Sequence, residues 1–292
     1  MLKKLYLLLV LVLVGCGENQ DSTSPSTQFG PPENMKALSV NATTVGLQWT
    51  APTGQPDSLG GYVVQVGNSK DTLGPTAVSF MADSLTPGEK TFTVYARRKS
   101  GTLSDGAVIK WAAAARFDVP YVIYEYKTNQ TSVLSALDVG TATTDPAATT
   151  VSSADAPKMD LYLFGGNGGV QEGLQLQSPS LLATVWNATY FSTVSYQSTG
   201  LDQYLASFPA SSTFTLDRVS IVDNTIYFAR VAGDYYVRLH VHVQSGAAFP
   251  ARAVEIRVSL QRFAGLLYAV HEGSPAPANG LLGFITLPGV KL

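Results

Sequence analysis

The chain predicts an all-β protein: an N-terminal β-sandwich followed by a larger antiparallel β-domain. Three observations carry this. Apolar and polar residues alternate with period two through most patterned segments, as half-buried strands require. Gly and Pro turn signals recur at short intervals between those segments. The composition is 45 % apolar and only 14 % charged, with many Val, Ile, Tyr and Phe, a balance that suits strands and an exported protein. The net charge of −2 includes no basic run beyond Arg97-Arg98-Lys99, so no nucleic-acid partner is expected.

The N-terminus is the first informative element. Met1-Leu2-Lys3-Lys4 is a short basic stretch, and Leu5 to Val14 is an apolar run. That run is far shorter than the ~20 residues needed to cross a bilayer, so it reads as an export signal's hydrophobic region. It ends in Leu13-Val14-Gly15-Cys16, which resembles a bacterial lipoprotein signal. The resemblance implies cleavage after residue 15 and a lipid on the Cys16 thiol. Cys16 is the only cysteine in the 292 residues, so no disulfide explains it, and the fold must rest on its hydrophobic core. The alternative is an ordinary secretory signal followed by a chance Cys.

Residues 16–30 come next, Ser/Thr-rich and unpatterned from Gly17 to Gly30. They read as a flexible tether with an end-to-end span of ~20 Å. Position 17 is Gly and not Asp, which resembles an outer-membrane lipoprotein in the enterobacterial sorting convention. The expected location is the cell envelope, at the outer membrane or cell surface.

Residues 31–115 alternate cleanly. Val45-Leu47-Trp49, Tyr62-Val64-Val66 and Phe92-Val94-Ala96 each place apolar groups on one face. Ala51-Pro52-Thr53-Gly54, Leu59-Gly60-Gly61 and Thr86-Pro87-Gly88 punctuate them. Short strands at this spacing argue a β-sandwich. The region resembles a fibronectin type III domain in Pro31-Pro32, in Leu47-Gln48-Trp49-Thr50-Ala51-Pro52, in Gly61-Tyr62-Val63-Val64, and in Leu85-Thr86-Pro87-Gly88 leading to Phe92-Thr93-Val94-Tyr95-Ala96. The resemblance implies that Trp49 belongs to the core. Phe92 takes the place of the family's corner tyrosine, so that tyrosine's hydrogen bond, worth about 1 kcal/mol, is expected to be missing. Such a domain serves as a spacer or docking surface and implies no chemistry by itself.

Residues 116–292 form the second domain. Val122-Tyr124-Tyr126 opens it as an alternating strand. Leu137 to Pro157 reads as loop with a short strand. Met159 to Phe164 reads as a strand ended by the Gly165-Gly166-Asn167-Gly168-Gly169 turn, and Leu174-Leu176 as another strand. Thr199 to Phe208 is expected to form a short helix. The clearest pattern comes last: Tyr235, Val237, Leu239, Val241 and Val243 face one way, and Tyr236, Arg238, His240, His242 and Gln244 the other. Val254, Ile256, Val258 and Leu260 repeat it, with Glu255, Arg257, Ser259 and Gln261 opposite. These two segments predict an antiparallel pair with one face buried and one wet.

This second domain resembles the HmuY-like lipoproteins, haem-binding β-proteins, in Met159-Asp160-Leu161-Tyr162-Leu163-Phe164, in Ile226 to Arg230 with Gly233 to Leu239, and in Ala253 to Gln261. Met159 stands where that family has Trp. The family's haem-ligating histidines fall in loops that Ala, Thr and Ser fill here, so no haem ligands carry over.

Candidate chemistry is sparse. His240 and His242 are two apart on a strand, which puts their Cα atoms ~6.5–7 Å apart on one face. Two imidazoles there can converge on a metal ion, and Glu255 is placed to stand opposite as a third ligand. Against this, Arg238 and Arg257 share the face. A solvated sheet face, a divalent-metal site and a haem contact all remain open. Asp160 inside an apolar segment requires hydrogen bonds and reads as a pin for a neighbouring loop. His271 reads as a loop histidine, and the glycine-rich turn as a hairpin loop because no Lys-Ser/Thr follows. No Gly-x-Ser-x-Gly elbow, Cys–His pair or carboxylate pair is identifiable, so the chain reads as a non-enzyme. Three functions stay in play: binding or adhesion to a protein or glycan, haem or metal capture, and action on polysaccharide. No cofactor is expected under the first.

Overall fold

The computed structural model describes residues 29–53, 56–126, 132–166, 173–246 and 252–268. The signal segment, Cys16, most of the tether, Asn167-Gly168-Gly169 and His271 lie outside the described residues. Among the described residues the structure is nearly all β, with eighteen strands in four antiparallel sheets and short 3-10 turns.

Seven strands build the first sandwich: β1 (Glu33–Asn41), β2 (Thr44–Thr50), β3 (Leu59–Val66), β4 (Ser69–Leu73), β5 (Ser79–Ala82), β6 (Glu89–Arg98) and β7 (Leu103–Ala112). One sheet runs β1-β2-β5 and the other β4-β3-β6-β7. The alternating residues fill the space between them: Val45, Leu47, Tyr62, Val64, Phe92, Val94 and Ala96 are fully buried. Trp49 packs edge-on against Tyr62 with ring centroids 5.5 Å apart. The β3–β6 ladder shifts register between Leu59 and Gly61. Gly61 has φ +143°, and a Cβ there would collide with the Leu73 carbonyl, so only glycine fits.

The second sandwich uses β8 (Ala115–Tyr124), β9 (Leu134–Asp138), β10 (Ala147–Thr150), β11 (Leu161–Phe164), β12 (Gln175–Gln177), β13 (Tyr190–Gln197), β14 (Phe214–Leu216), β15 (Arg218–Ser220), β16 (Thr225–Val231), β17 (Tyr235–Val243) and β18 (Ala253–Leu260). A five-stranded sheet, β10-β9-β11-β12-β15, faces a six-stranded sheet, β14-β13-β16-β17-β18-β8. Their common core holds Leu137, Leu161, Leu163, Leu176, Val219, Tyr227 and the inward residues of β17 and β18. Val241 pairs with Ile256 and Leu239 with Val258, the antiparallel register expected from the alternation. In β8 the inward residue is Ile123, fully buried, while Tyr124 is exposed. Beyond β8 the chain crosses between sheets: Glu125 N–H bonds to the Arg252 carbonyl at the six-stranded sheet, and Tyr126 N–H to the Leu163 carbonyl of the other.

Thr199 to Phe208 is not a helix. Its backbone groups are used by neighbours instead, with Leu205 and Ala37 exchanging N–H···O bonds of 2.8 and 2.9 Å. Gly46 seats Tyr204 so closely that a Cβ would lie 2.6 Å from its hydroxyl. The two sandwiches therefore share a core. Tyr196, Leu205, Phe208, Phe214, Phe228, Tyr236 and Tyr268 join Leu47, Trp49 and Trp111 in one apolar cluster. At the joint, Trp111 Nε1 donates to Ser39 Oγ (3.0 Å), which donates to the Ala112 carbonyl (2.9 Å). Ala112 N–H bonds to the Tyr268 carbonyl at 2.7 Å. The first domain is joined to the second through this shared cluster and these bonds.

Candidate functional site

His240 and His242 lie on one face of β17, and Glu255 pairs directly with His242 across the ladder. Their side chains are directed elsewhere. His240 is 1 % exposed; its Nε2 donates to the Ser198 carbonyl at 2.8 Å, and its Nδ1 lies 3.4 Å from Arg257 Nη1. Both ring nitrogens are occupied. His242 Nδ1 contacts Asp223 Oδ1 at 2.9 Å, and Glu255 Oε1 accepts from Gln244 Nε2 at 3.1 Å. Among the described residues no group of three or more His, Cys, Asp or Glu is placed to hold a metal ion.

Most of this face is covered, contrary to the wet face expected from the alternation, while His242 at its end stays partly exposed. Tyr236, Arg238 and His240 are all buried beneath the 198–208 segment. That segment offers carbonyls in exchange for water: Ser198 to His240 and Gln203 to Arg238 Nη2 (3.0 Å). Burial brings the Arg238 guanidinium down to about 10, still charged at neutral pH. Burial also lowers His240 below the ordinary imidazole value, and the nearby Arg257, His242 and Arg238 charges push the same way against the Ser198 bond. His240 is a neutral clamp on the covering segment.

Asp160 does pin loops. It is buried, precedes β11, and its Oδ2 accepts the Val139 N–H at 3.0 Å. Burial raises its carboxyl to about 7, aided by the charge of Asp138 and opposed by the Val139 and Ala232 N–H groups. At the sheet crossing, Arg252 holds Glu125 through two bonds (Nε–Oε2 2.9 Å, Nη2–Oε1 2.8 Å) and also donates to the Gly165 carbonyl (2.7 Å). That geometry is a buried bidentate brace.

A different surface stands out on the outer face of the five-stranded sheet. Tyr162 and Gln177 pair across β11 and β12, and Arg218 follows on β15. Phe164, Gln175 and Ser220 form the next row. A small second core of Ala136, Val151, Met159 and Tyr162 lies under this face, with Tyr126, Phe164 and Trp186 packed against it and only partly buried. Tyr162 Oη donates to Gln177 Oε1 at 2.5 Å, and Gln177 Nε2 donates to Gln175 Oε1 at 2.7 Å. The i, i+2 spacings of Tyr162/Phe164 and Gln175/Gln177 put each pair on one face of its strand.

Residues 30–110 match the family model of the fibronectin type III domain. No match is found among curated proteins. Among solved structures the chain is similar to a β-sandwich protein from a computer-based redesign, at 18 % identity over 29 % of this chain and 95 % of that one, TM-score 0.26. It is similar to the FN5 domain of Drosophila Lar at 22 % identity over 28 % of this chain and 94 % of that one, TM-score 0.22. It is also similar to the fibronectin type III domain of human fibronectin type III domain containing protein 3, at 19 % identity over 31 % and 91 %, TM-score 0.24. The first sandwich is a fibronectin type III domain, and a further β-sandwich follows it.

Proposed function

We propose that this protein is a lipid-anchored, extracytoplasmic binding or adhesion protein. The fibronectin type III domain at residues 30–110 supports a binding or adhesion role in general terms. The single observation behind the anchored reading is Leu13-Val14-Gly15-Cys16, placed after a basic start and a short apolar run, with Cys16 the only cysteine. Acylation of that thiol would hold the chain at a membrane. Gly17, with no Asp at that position, favours the outer membrane or cell surface, and the Ser/Thr-rich tether would give the fused sandwiches reach beyond it. The test is metabolic labelling in a bacterial host with a palmitate analogue. The wild-type chain is expected to take up label and sediment with membranes, and Cys16→Ser to lose both. An unlabelled, soluble wild-type chain would overturn the reading.

A further inference from the structure

We infer that the outer face of the five-stranded sheet, between Trp186, Phe164 and Gln175, is a binding face for a neutral oligosaccharide. This deepens the binding reading above and rests on it. Tyr126, Phe164 and Trp186 each press one side against the small core around Tyr162 and keep the remainder in solvent. Tyr126 meets the Tyr162 ring edge-on at 5.7 Å, so its orientation is fixed. The segment carrying Trp186 is tied down by Asn187, whose Nδ2 donates to the Pro157 and Met159 carbonyls, each at 3.2 Å. A ring held on one side and wet on the other offers a ready platform for the C–H face of a pyranose at little entropic cost.

The polar half of the face is equally prepared. Tyr162 donates to Gln177, which donates to Gln175 Oε1. That relay fixes which end of the Gln175 amide is spent. Its Nε2 makes no hydrogen bond among the described residues, leaving a positioned donor between Phe164 and Ser220. Burial raises the Tyr162 phenol above its ordinary value, so it remains a donor throughout the accessible pH range and the relay keeps its direction. Arg218, next to Gln177, is paired with Asp217 at 3.0 Å, so the charge in this row is offset. Neutral hydroxyls fit this surface better than an acidic or basic partner. A protein partner would need a broader desolvated apolar centre than these half-buried rings provide.

The test uses the full mature chain in affinity electrophoresis through gels containing soluble β-glucan, xylan or mannan. At least one polysaccharide is expected to retard it, and tryptophan emission should change on titration. Gln175→Leu preserves volume and lies outside the small core, so it should remain folded, with an unchanged thermal midpoint, yet bind at least tenfold more weakly. Tyr162→Phe keeps the ring, loses the relay and should weaken binding several-fold; Trp186→Ala should remove both retardation and the emission change. Absence of retardation by all three polysaccharides, or retardation indifferent to Gln175→Leu and Trp186→Ala, overturns the inference. Palmitate labelling of the same chain is read separately. A labelled chain that binds no glycan sinks this inference alone, and a glycan-binding chain without lipid sinks only the anchored reading.

Discussion

Replacing His240 with Gln should remove a defined part of the protein's acid sensitivity. The imidazole is 1 % exposed, donates through Nε2 to the Ser198 carbonyl at 2.8 Å, and presents Nδ1 to Arg257 Nη1 at 3.4 Å. A second proton would sit on Nδ1, facing that guanidinium, with Arg238 buried on the same strand and His242 two residues on. Burial is the main cause of the lowered value, and those charges add to it. In the unfolded chain the same group titrates near 6.5. The folded state refuses a proton that the unfolded state accepts, so stability is complete above about pH 6.5 and declines as pH falls below it. While His240 stays neutral in the fold, the slope below pH 6.5 approaches its limit of about 1.4 kcal/mol per pH unit. Gln keeps a donor for Ser198 and an acceptor for Arg257 but cannot titrate. Urea unfolding of both chains at pH 7.5, 6.5, 5.5 and 5.0 isolates the effect in their difference. That difference should be flat above pH 7 and shift in favour of the Gln variant below 6.5. A difference that stays level down to pH 5 would refute the neutral-clamp argument.

Two further outcomes follow from buried polar groups. Ser39→Ala leaves Trp111 Nε1 without its acceptor in a site where the indole is 1 % exposed, and thermal or denaturant unfolding should show a loss of about 1–3 kcal/mol; an unchanged midpoint counts against the joint as drawn. Asp160 has the opposite pH sign to His240: its carboxyl, raised to about 7, is protonated in the fold where the unfolded group is already ionised. Its contribution is present below about pH 4 and lost as pH climbs to 7, on the order of 4 kcal/mol. The stability of Asp160→Asn relative to wild type should therefore rise across that window, and parallel pH curves for the two chains would contradict it.

The inward faces were readable because one period reports one buried side. Leu47 and Trp49 in β2, Val94 and Ala96 in β6, and Val254 to Leu260 in β18 all fill the cores that their alternation indicates. The outer face of β17 was not readable in the same way. Arg238 and His240 carry polar groups, and polarity normally means water, but a segment more than thirty residues upstream brings Ser198 and Gln203 carbonyls to them. Local periodicity holds no record of such a delivery. The same use of backbone groups explains why 199–208 forms no helix: Leu205 spends its N–H and carbonyl on Ala37, and a helical ladder would have needed both. For the candidate site, spacing placed Glu255 opposite His242 correctly, yet could not show that Asp223 and Gln244 would engage them. The ring-and-amide face escaped notice because strands β11 and β12 are only four and three residues long, too short for a pattern to stand out.

The joint between the sandwiches also sets how the protein can aim. With Ala37 and Leu205 laced edge to edge and Trp111 packed at a tilt against Tyr268, ring centroids 6.1 Å apart, the two bodies are joined as a single lever. A pull on the chain entering at Phe29 passes through β1 into the far domain without slack. A ligand bound by the far domain, under the binding function proposed above, would meet a stiff arm, so its bond lifetime under shear flow would depend on the contact itself.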